Sequence, residues 1–394
     1  MEQKIFFIDN FNRASLELFK NLVEQEKSTK YNFSFEFVGP RKDSLSSKIN
    51  FSNKINKIWN NSHYITSIFK HIRSSKPKII HISFELKTFG DFFSVIKFPI
   101  LLFLIRFTKT KIVLSLHTML VYRENSKWHI YDYIFSGMPK SFLTLLVKIY
   151  TKIICKLSHK IIVEANIGKK ALTEYFNLDD EKIEVIQLGV SPKTSFVNKI
   201  NQTNISEKIN QKKIILCFGV ISPRKRLDDI IRSFNKITND LPNHILVIAG
   251  SAPIEHQLYE SHLKKLSKDL GIDNKIIFAG FLNDYDIEYL FSISEMAIFI
   301  YRPMASGTGA LTFAIQHGTP CIVSNIETFQ EILSQKSALF VNPDNENELS
   351  ENILKIALND NLQTDLQTEI QKISQKFTWE KSAIQHIKIY ENLL

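Results

Sequence analysis

Short β-branched runs alternate with amphipathic stretches along nearly the whole chain, and the alternation stops once, at residues 191–212. Before that break, residues 4–9, 33–38, 78–84, 111–118, 160–165 and 184–188 read as strands. Helical patterns such as 14–26 and 142–156 lie between them. After it, strands are expected at 214–218, 245–249, 276–279, 296–301 and 321–323, with helices near 227–237, 258–270 and 307–317. Runs this apolar suit strands covered on both faces, hence parallel sheets. The interrupting stretch, SPKTSFVNKINQTNISEKINQK, is rich in Asn, Ser and Lys and reads as a linker. The expected fold class is α/β, with two Rossmann-like doubly wound domains facing across a cleft at the carboxyl ends of their strands. Expected boundaries are 1–190, a linker at 191–212, a second domain at 213–375, and a C-terminal helix at 376–394 that returns towards the first domain.

Charge is distributed unevenly between these halves. The chain holds 50 Lys+Arg against 40 Asp+Glu, a net +10. Residues 1–200 contain 31 basic and 17 acidic residues, whereas 201–394 contain 19 and 23; the excess is concentrated in 51–160, with 18 against 4. Lysine dominates over arginine, 41 to 9, as AT-rich coding produces, but coding bias does not confine a surplus to one half. A basic half expects an anionic partner, either a membrane surface or a phosphorylated acceptor, with plain solvated surface as the alternative. No nucleic-acid partner is expected, because no recognised motif accompanies the charge.

Other classes are disfavoured. The longest uncharged apolar run, residues 98–105, is far short of the roughly 20 residues that span a bilayer. Only the short apolar run Ile5-Phe6-Phe7-Ile8 precedes Asp9, so no secretory leader is expected. Cys155, Cys217 and Cys321 are widely separated, which argues against a disulfide framework or a cysteine zinc site and fits a reduced cytoplasm. Within the basic half, residues 91–111 mix bulky apolar side chains with Lys97, Arg106, Lys109 and Lys111. They read either as a core helix or as an interfacial helix on anionic lipid, the latter making a cytoplasmic protein peripheral to the inner face of the membrane.

The second half bears the chemistry. Residues 296–324 read as strand, loop, helix, stop and strand, with Gly318 and Pro320 ending the helix. Ser306, Gly307, Thr308 and Gly309 stand at the helix start, where glycines let main-chain N–H groups approach a ligand and the helix N-terminus is partly positive. That is a phosphate cradle or an ordinary Ser cap with a tight turn. Residues 215–234 add a strand, Gly219, a loop with Arg224, Lys225 and Arg226, and a helix opening on Asp228 and Asp229. Arg224 and Lys225 are placed to clamp a diphosphate. Alternatively Lys225 or Arg226 only pairs with those aspartates, and at least one of the three cations is expected to be structural. In the first half, His117 ends an apolar strand at the cleft side, where a satisfied structural histidine is the default reading. Glu85 and Glu331 follow strand ends, Glu331 being expected to cap or face solvent.

These stretches, in this order, resemble the family 4 glycosyltransferases, which have the GT-B fold. FGVISPRKRLDDIIRSF is similar to the family's Gly, variable loop and Lys before a helix, with Lys225 on the Lys. Residues 276–301 resemble its Gly-aromatic loop, helix and apolar strand. ASGTGALTFAIQHGTPCIVSN resembles its donor-binding helix, with Gly318-Thr319-Pro320 on the usual Gly-x-Pro. FTWEKSAIQHIKIYENLL resembles its terminal helix. The first half is similar more weakly, with His117 on the family's strand-end His.

The resemblance implies a retaining transferase that moves a sugar from a nucleotide diphosphate sugar to a glycan or lipid-linked acceptor, usually with no metal and no cofactor beyond the nucleotide sugar. It implies an acceptor-binding first domain and a nucleotide-sugar-binding second one. Arg224 and Lys225 would then hold the diphosphate, Ser306 to Gly309 the phosphate and sugar, and Gly280 and Phe281 the base. His117 would approach the transferred sugar. Two family glutamates, counted back from Gly318, fall on Ala305 and Phe313, neither acidic. The loop after the first strand, residues 8–17, lacks the expected glycine and offers Arg13 as a substitute cation. These departures keep a second expectation open, a catalytically silent GT-B protein that binds nucleotide sugar or scaffolds a partner. Another GT-B enzyme, such as an epimerase or phosphorylase, is a third.

Overall fold

The computed structural model describes residues 2–10, 12–26, 29–41, 54–60, 63–85, 88–89, 92–117, 140–193, 209, 212–302 and 309–394. In the first half these form strands β1 (Gln3–Ile8), β2 (Phe33–Pro40), β3 (Ile55–Trp59), β4 (Ile79–Phe84), β5 (Lys111–Leu116), β6 (Lys160–Val163) and β7 (Ile183–Val185). The helices there are α1 (Arg13–Glu24), α2 (Tyr64–Ser75), α3 (Phe92–Arg106), α4 (Lys140–Leu157) and α5 (Asn166–Lys170). The strands make one parallel sheet in the order β3-β2-β1-β4-β5-β6-β7.

The second half gives β8 (Lys213–Phe218), β9 (His244–Ala249), β10 (Ile276–Gly280), β11 (Ser294–Phe299), β12 (Cys321–Ser324) and β13 (Ala338–Val341), a parallel sheet in the order β10-β9-β8-β11-β12-β13. Its helices are α6 (Leu227–Lys236), α7 (Gln257–Asp269), α8 (Asp284–Ile293), α9 (Gly309–His317), α10 (Glu327–Gln330), α11 (Glu346–Ala357), α12 (Asp360–Ser374) and α13 (Trp379–Leu393). Both sheets are doubly wound, as expected. Their strand order reverses between β1 and β4 and between β8 and β11, and such reversals open a crevice at the carboxyl ends of the strands.

Alternation along each strand splits the cores. In β1, Phe6 and Ile8 join α2, α3 and α4 on one face, while Ile5 and Phe7 join α1 and α13 on the other. In β8, Ile214 and Leu216 pack with α8, α9 and α12, and Ile215 and Cys217 with α6, α7 and α11. Period-two burial of this kind needs both faces apolar, which is why these strands read as unbroken hydrophobic runs.

The two halves are tied at their crossing. The Val190 N–H donates to the Phe377 carbonyl at 2.6 Å, and a Cβ on Gly189 would come 2.3 Å from the Trp379 ring, so only glycine fits there. From this point α13 runs along α1 on the first sheet. The Tyr390 hydroxyl lies 2.6 Å from His81 Nδ1, and His81 Nε2 lies 2.7 Å from Ser115 Oγ. Burial, with smaller contributions from His386 and His117, holds the His81 pKa well below its ordinary value, so it serves this network as a neutral ring.

Candidate active site

The carboxyl ends of β1, β4, β5 and β6 gather four polar side chains that are far apart in sequence. Asp9 follows β1, Ser83 lies in β4, His117 follows β5 and Glu164 follows β6. His117 Nδ1–H donates to Glu164 Oε1 at 2.5 Å, and its Nε2 lies 2.7 Å from Ser83 Oγ. Burial alone would lower the His117 pKa. The Glu164 carboxylate and its hydrogen bond, with the charges of Asp9 and Glu85, outweigh that and raise it to about 9. His117 is therefore an imidazolium at neutral pH, with a carboxylate fixed behind it.

Asp9 is fully buried. It accepts from the Asn10 N–H at 2.6 Å and from the Ser15 hydroxyl, and Ser83 also hydrogen-bonds to it. Burial raises its pKa to about 7, opposed by the His117 charge and by the hydrogen bonds from Ser15 and Ser83. Ser15 itself is set by the Asn12 cap of α1, whose side chain accepts the Ser15 N–H at 2.8 Å. Asn12, Ser15, Ser83, Glu85, His117 and Glu164 line a cavity of about 200 Å³. Gly309, the first described residue of α9, reaches the same cavity from the second half.

Across the cleft, β8 ends at Phe218 and turns at Gly219, whose φ is +108°. A short helical turn, Pro223–Lys225, then folds back under it. Lys225 is 7% exposed, and its Nζ donates to the Phe218 carbonyl at 2.8 Å. Among the described residues no carboxylate pairs with it. Burial and the neighbouring Arg224 charge push its pKa down to about 7. The Arg224 guanidinium lies 5.4 Å and Lys225 Nζ 5.5 Å from the Tyr301 ring centroid, so both cations approach one aromatic ring just beyond β11. A Cβ on Gly219 would stand 2.2 Å from Lys225 Nζ and 3.9 Å from Ala310 Cβ. The cation loop therefore abuts the start of α9.

Arg226 is the structural member of the cation trio. It adopts φ +50° and pairs with Asp229 and Asp344, each at 2.5 Å. Gly280, with φ +71°, ends β10, and Phe281 beside it is 86% exposed. The Gly250 N–H donates to the Gly280 carbonyl and the Gly219 N–H to the Ala249 carbonyl, each at 2.8 Å, so glycines in left-handed conformations end three adjacent strands. Phe281 is not among the residues lining the His117 cavity. Ser306, Gly307 and Thr308 lie outside the described residues, as does Ala305.

Residues 198–373 match the family described as Glycosyl transferases group 1. The second half of the chain therefore carries a group 1 glycosyltransferase match. It is 25% identical to the uncharacterised glycosyltransferase MJ1607 of Methanocaldococcus jannaschii over 59% of this chain and 60% of that one. It is 25% identical to MJ1069 of the same organism over 79% of this chain and 80% of that one. Its fold matches the crystal structure of Anabaena Alr3699/HepE with a TM-score of 0.73 and 16% identity, covering 99% and 100% of the two chains. That match supports the GT-B architecture of two facing sheets.

Against the group 1 pattern, Phe313 stands where a glutamate was counted. Its ring stacks on Phe291 at 5.7 Å and meets Phe218 edge-on at 5.4 Å. The guanidinium of Arg13, from the first half, lies 4.6 Å over it. Arg13 also bonds Glu288 at 2.5 Å, so it acts as a clasp between the halves. Glu331 makes a second tie, accepting the N–H groups of Asn166 and Ile167 at the start of α5 at 2.6 and 2.9 Å. It is a cap, and it caps a helix of the other half.

Asp9, Ser83 and Glu164 were not singled out in the sequence. A trace was present for Glu164, since it follows an apolar strand at the same edge as His117. Nothing local marked Asp9 or Ser83.

Proposed function

We propose that this group 1 glycosyltransferase acts in the cytoplasm, moving a sugar with retention from a nucleoside diphosphate sugar to a glycan or lipid-linked acceptor in cell-surface polysaccharide or glycolipid synthesis. The observation that supports this reading best is Lys225: a buried cation beside Arg224, at the carboxyl edge of a doubly wound sheet, lacking a carboxylate counter-ion among the described residues. A buried charge without a partner is costly, and a diphosphate supplies the partner. HepE, of the same fold, was crystallised with UDP and with UDP-glucose, which favours the nucleoside diphosphate class.

In this reading residues 213–375 hold the donor. Arg224 and Lys225 meet the diphosphate, Gly219 lets it approach the main chain, and Ser306, Gly307, Thr308 and Gly309 cradle phosphate and sugar. Gly280 and Phe281 lie against the base. Residues 1–190 hold the acceptor, with His117 facing the sugar. As the bond from the anomeric carbon to the phosphate oxygen breaks, negative charge grows on the leaving group, where fixed cations stabilise it most. The acceptor oxygen attacks from the same face, and the departing phosphate oxygen takes its proton, so no carboxylate nucleophile is required. His117 Nε2 faces Ser83 in the free enzyme, so a sugar hydroxyl gains that bond by displacing Ser83.

A second reading rests on Phe313: an aromatic cluster in place of a carboxylate fits a protein that binds nucleotide sugar without turning it over. A panel of UDP, GDP and ADP sugars with candidate acceptors separates the two. Release of free nucleotide, with a glycosylated product by mass spectrometry, supports transfer. Saturable donor binding without release supports the silent reading, and neither binding nor release refutes both.

A further inference from the structure

Helices α3 and α4 lie side by side over one face of the first sheet, joined by the Tyr150 hydroxyl donating to the Val95 carbonyl at 2.8 Å. The inward side of α3, including Phe98, Leu101, Leu102 and Ile105, is buried in the core. Its outward side is equally apolar. Phe93, Ile96, Ile100 and Phe103, continuing into Phe107, recur every three or four residues and are all at least half exposed, Phe93 at 67% and Phe107 at 75%. Helix α4 repeats the arrangement with Phe142, Leu145, Ile149 and Ile153, at 50%, 53%, 47% and 41%. Two neighbouring stripes of large exposed apolar side chains exceed what a water-facing surface ordinarily carries.

The charge around these stripes is of one sign. Neither helix contains an acidic residue. Lys97, Arg106, Lys109 and Lys156 are exposed on or beside them, and Lys152 is half-buried. Among the described residues no helix is long and apolar enough to cross a membrane. A second copy of the chain would set these cations against their own kind. An anionic surface that also accepts apolar side chains satisfies both features, with stems and rings entering the acyl boundary and ammonium groups staying at the phosphates.

We propose that the α3–α4 face docks the enzyme on the interface of an anionic lipid bilayer. This is independent of the donor chemistry and deepens the proposed function by placing a lipid-linked acceptor within the enzyme's plane of action.

The test is flotation of the full chain with vesicles of phosphatidylcholine alone and with about one-third phosphatidylglycerol. Binding to the anionic vesicles should be about tenfold stronger or more and should weaken with salt. The variant Ile100→Ser, Phe103→Ser, Ile149→Ser changes only exposed positions and should lose binding. So should Lys97→Gln, Lys109→Gln, Lys156→Gln. Both should keep wild-type Tm and donor-dependent nucleotide release, so that loss of docking and loss of chemistry are told apart. No binding to anionic vesicles at low salt overturns the proposal. So does binding that survives the serine substitutions. A dimer by light scattering that the serine variant abolishes, without vesicle binding, assigns the face to a second copy instead.

Discussion

The ammonium of Lys225 sits directly beneath Gly219, held by the Phe218 carbonyl at 2.8 Å and within 2.2 Å of where a Gly219 Cβ would be. The glycine and the lysine thus form one device, in which the missing side chain makes room for the cation and the positive φ turns the main chain over it. Gly219→Ala should displace the lysine, because the clash is with the far end of a flexible side chain. The positive φ should cost about 1–3 kcal/mol of stability. Donor KM should rise while the protein stays folded. A normal KM with an unchanged Tm would count against the coupling.

Removing the cations themselves should affect rate more than binding. With Arg224→Ala and Lys225→Ala combined, kcat should fall by about a hundredfold or more, since each cation is aimed at charge that grows as the bond breaks. Circular dichroism should be unchanged. Near-normal turnover in this folded variant refutes the assignment of both residues.

Lys225 should also take up a proton when donor binds. With its pKa at about 7 in the free protein, it is mostly neutral near pH 8. A diphosphate alongside favours the charged form. Titration calorimetry in buffers of different ionisation enthalpy should show an uptake approaching one proton at about pH 8, absent in Lys225→Met. Equal enthalpies in all buffers for the wild type would sink this.

The His117–Glu164 pair makes stability depend on pH with a definite sign. Below the ordinary imidazole value of 6.5 the ring is charged whether folded or not, and the pair contributes fully. Between 6.5 and about 9 the folded protein holds a proton that the unfolded chain has lost, so stability falls as pH rises. Lys225 acts in the opposite direction between about 7 and 10.5. The informative quantity is therefore the difference from Glu164→Gln, in which this decline should flatten. Parallel stability profiles for the two proteins, by denaturant titration across that range, would contradict the pairing.

Most of the architecture was legible because strands covered on both faces leave unbroken apolar runs, as in β4 and β9, where every residue is buried. The edge strand β3 escaped notice because INKIW buries only Trp59 fully and sets two polar residues, Asn56 and Lys57, side by side. β13 is four residues long, with Ala338 and Val341 buried and the two between them partly so, too brief for a period to register. Arg224 and Lys225 could be located because a loop between an apolar strand and a helix is a local pattern. The Asp9–Ser83–His117–Glu164 chain has no such pattern, since its meaning arises only when the order β1-β4-β5-β6 brings four distant positions to one edge. The Arg13–Glu288 clasp is still less local, joining residues 275 apart across the cleft.

The passage of α13 onto the first sheet has a consequence for how the molecule is made. Tyr390 closes over Phe33, Phe35 and His81, so residues translated long after β1 and β2 complete the core that those strands begin. The nascent N-terminal half therefore waits, its α1 side open, until translation has run through everything between. A truncated chain ending before residue 379 would present that groove permanently to water and to chaperones.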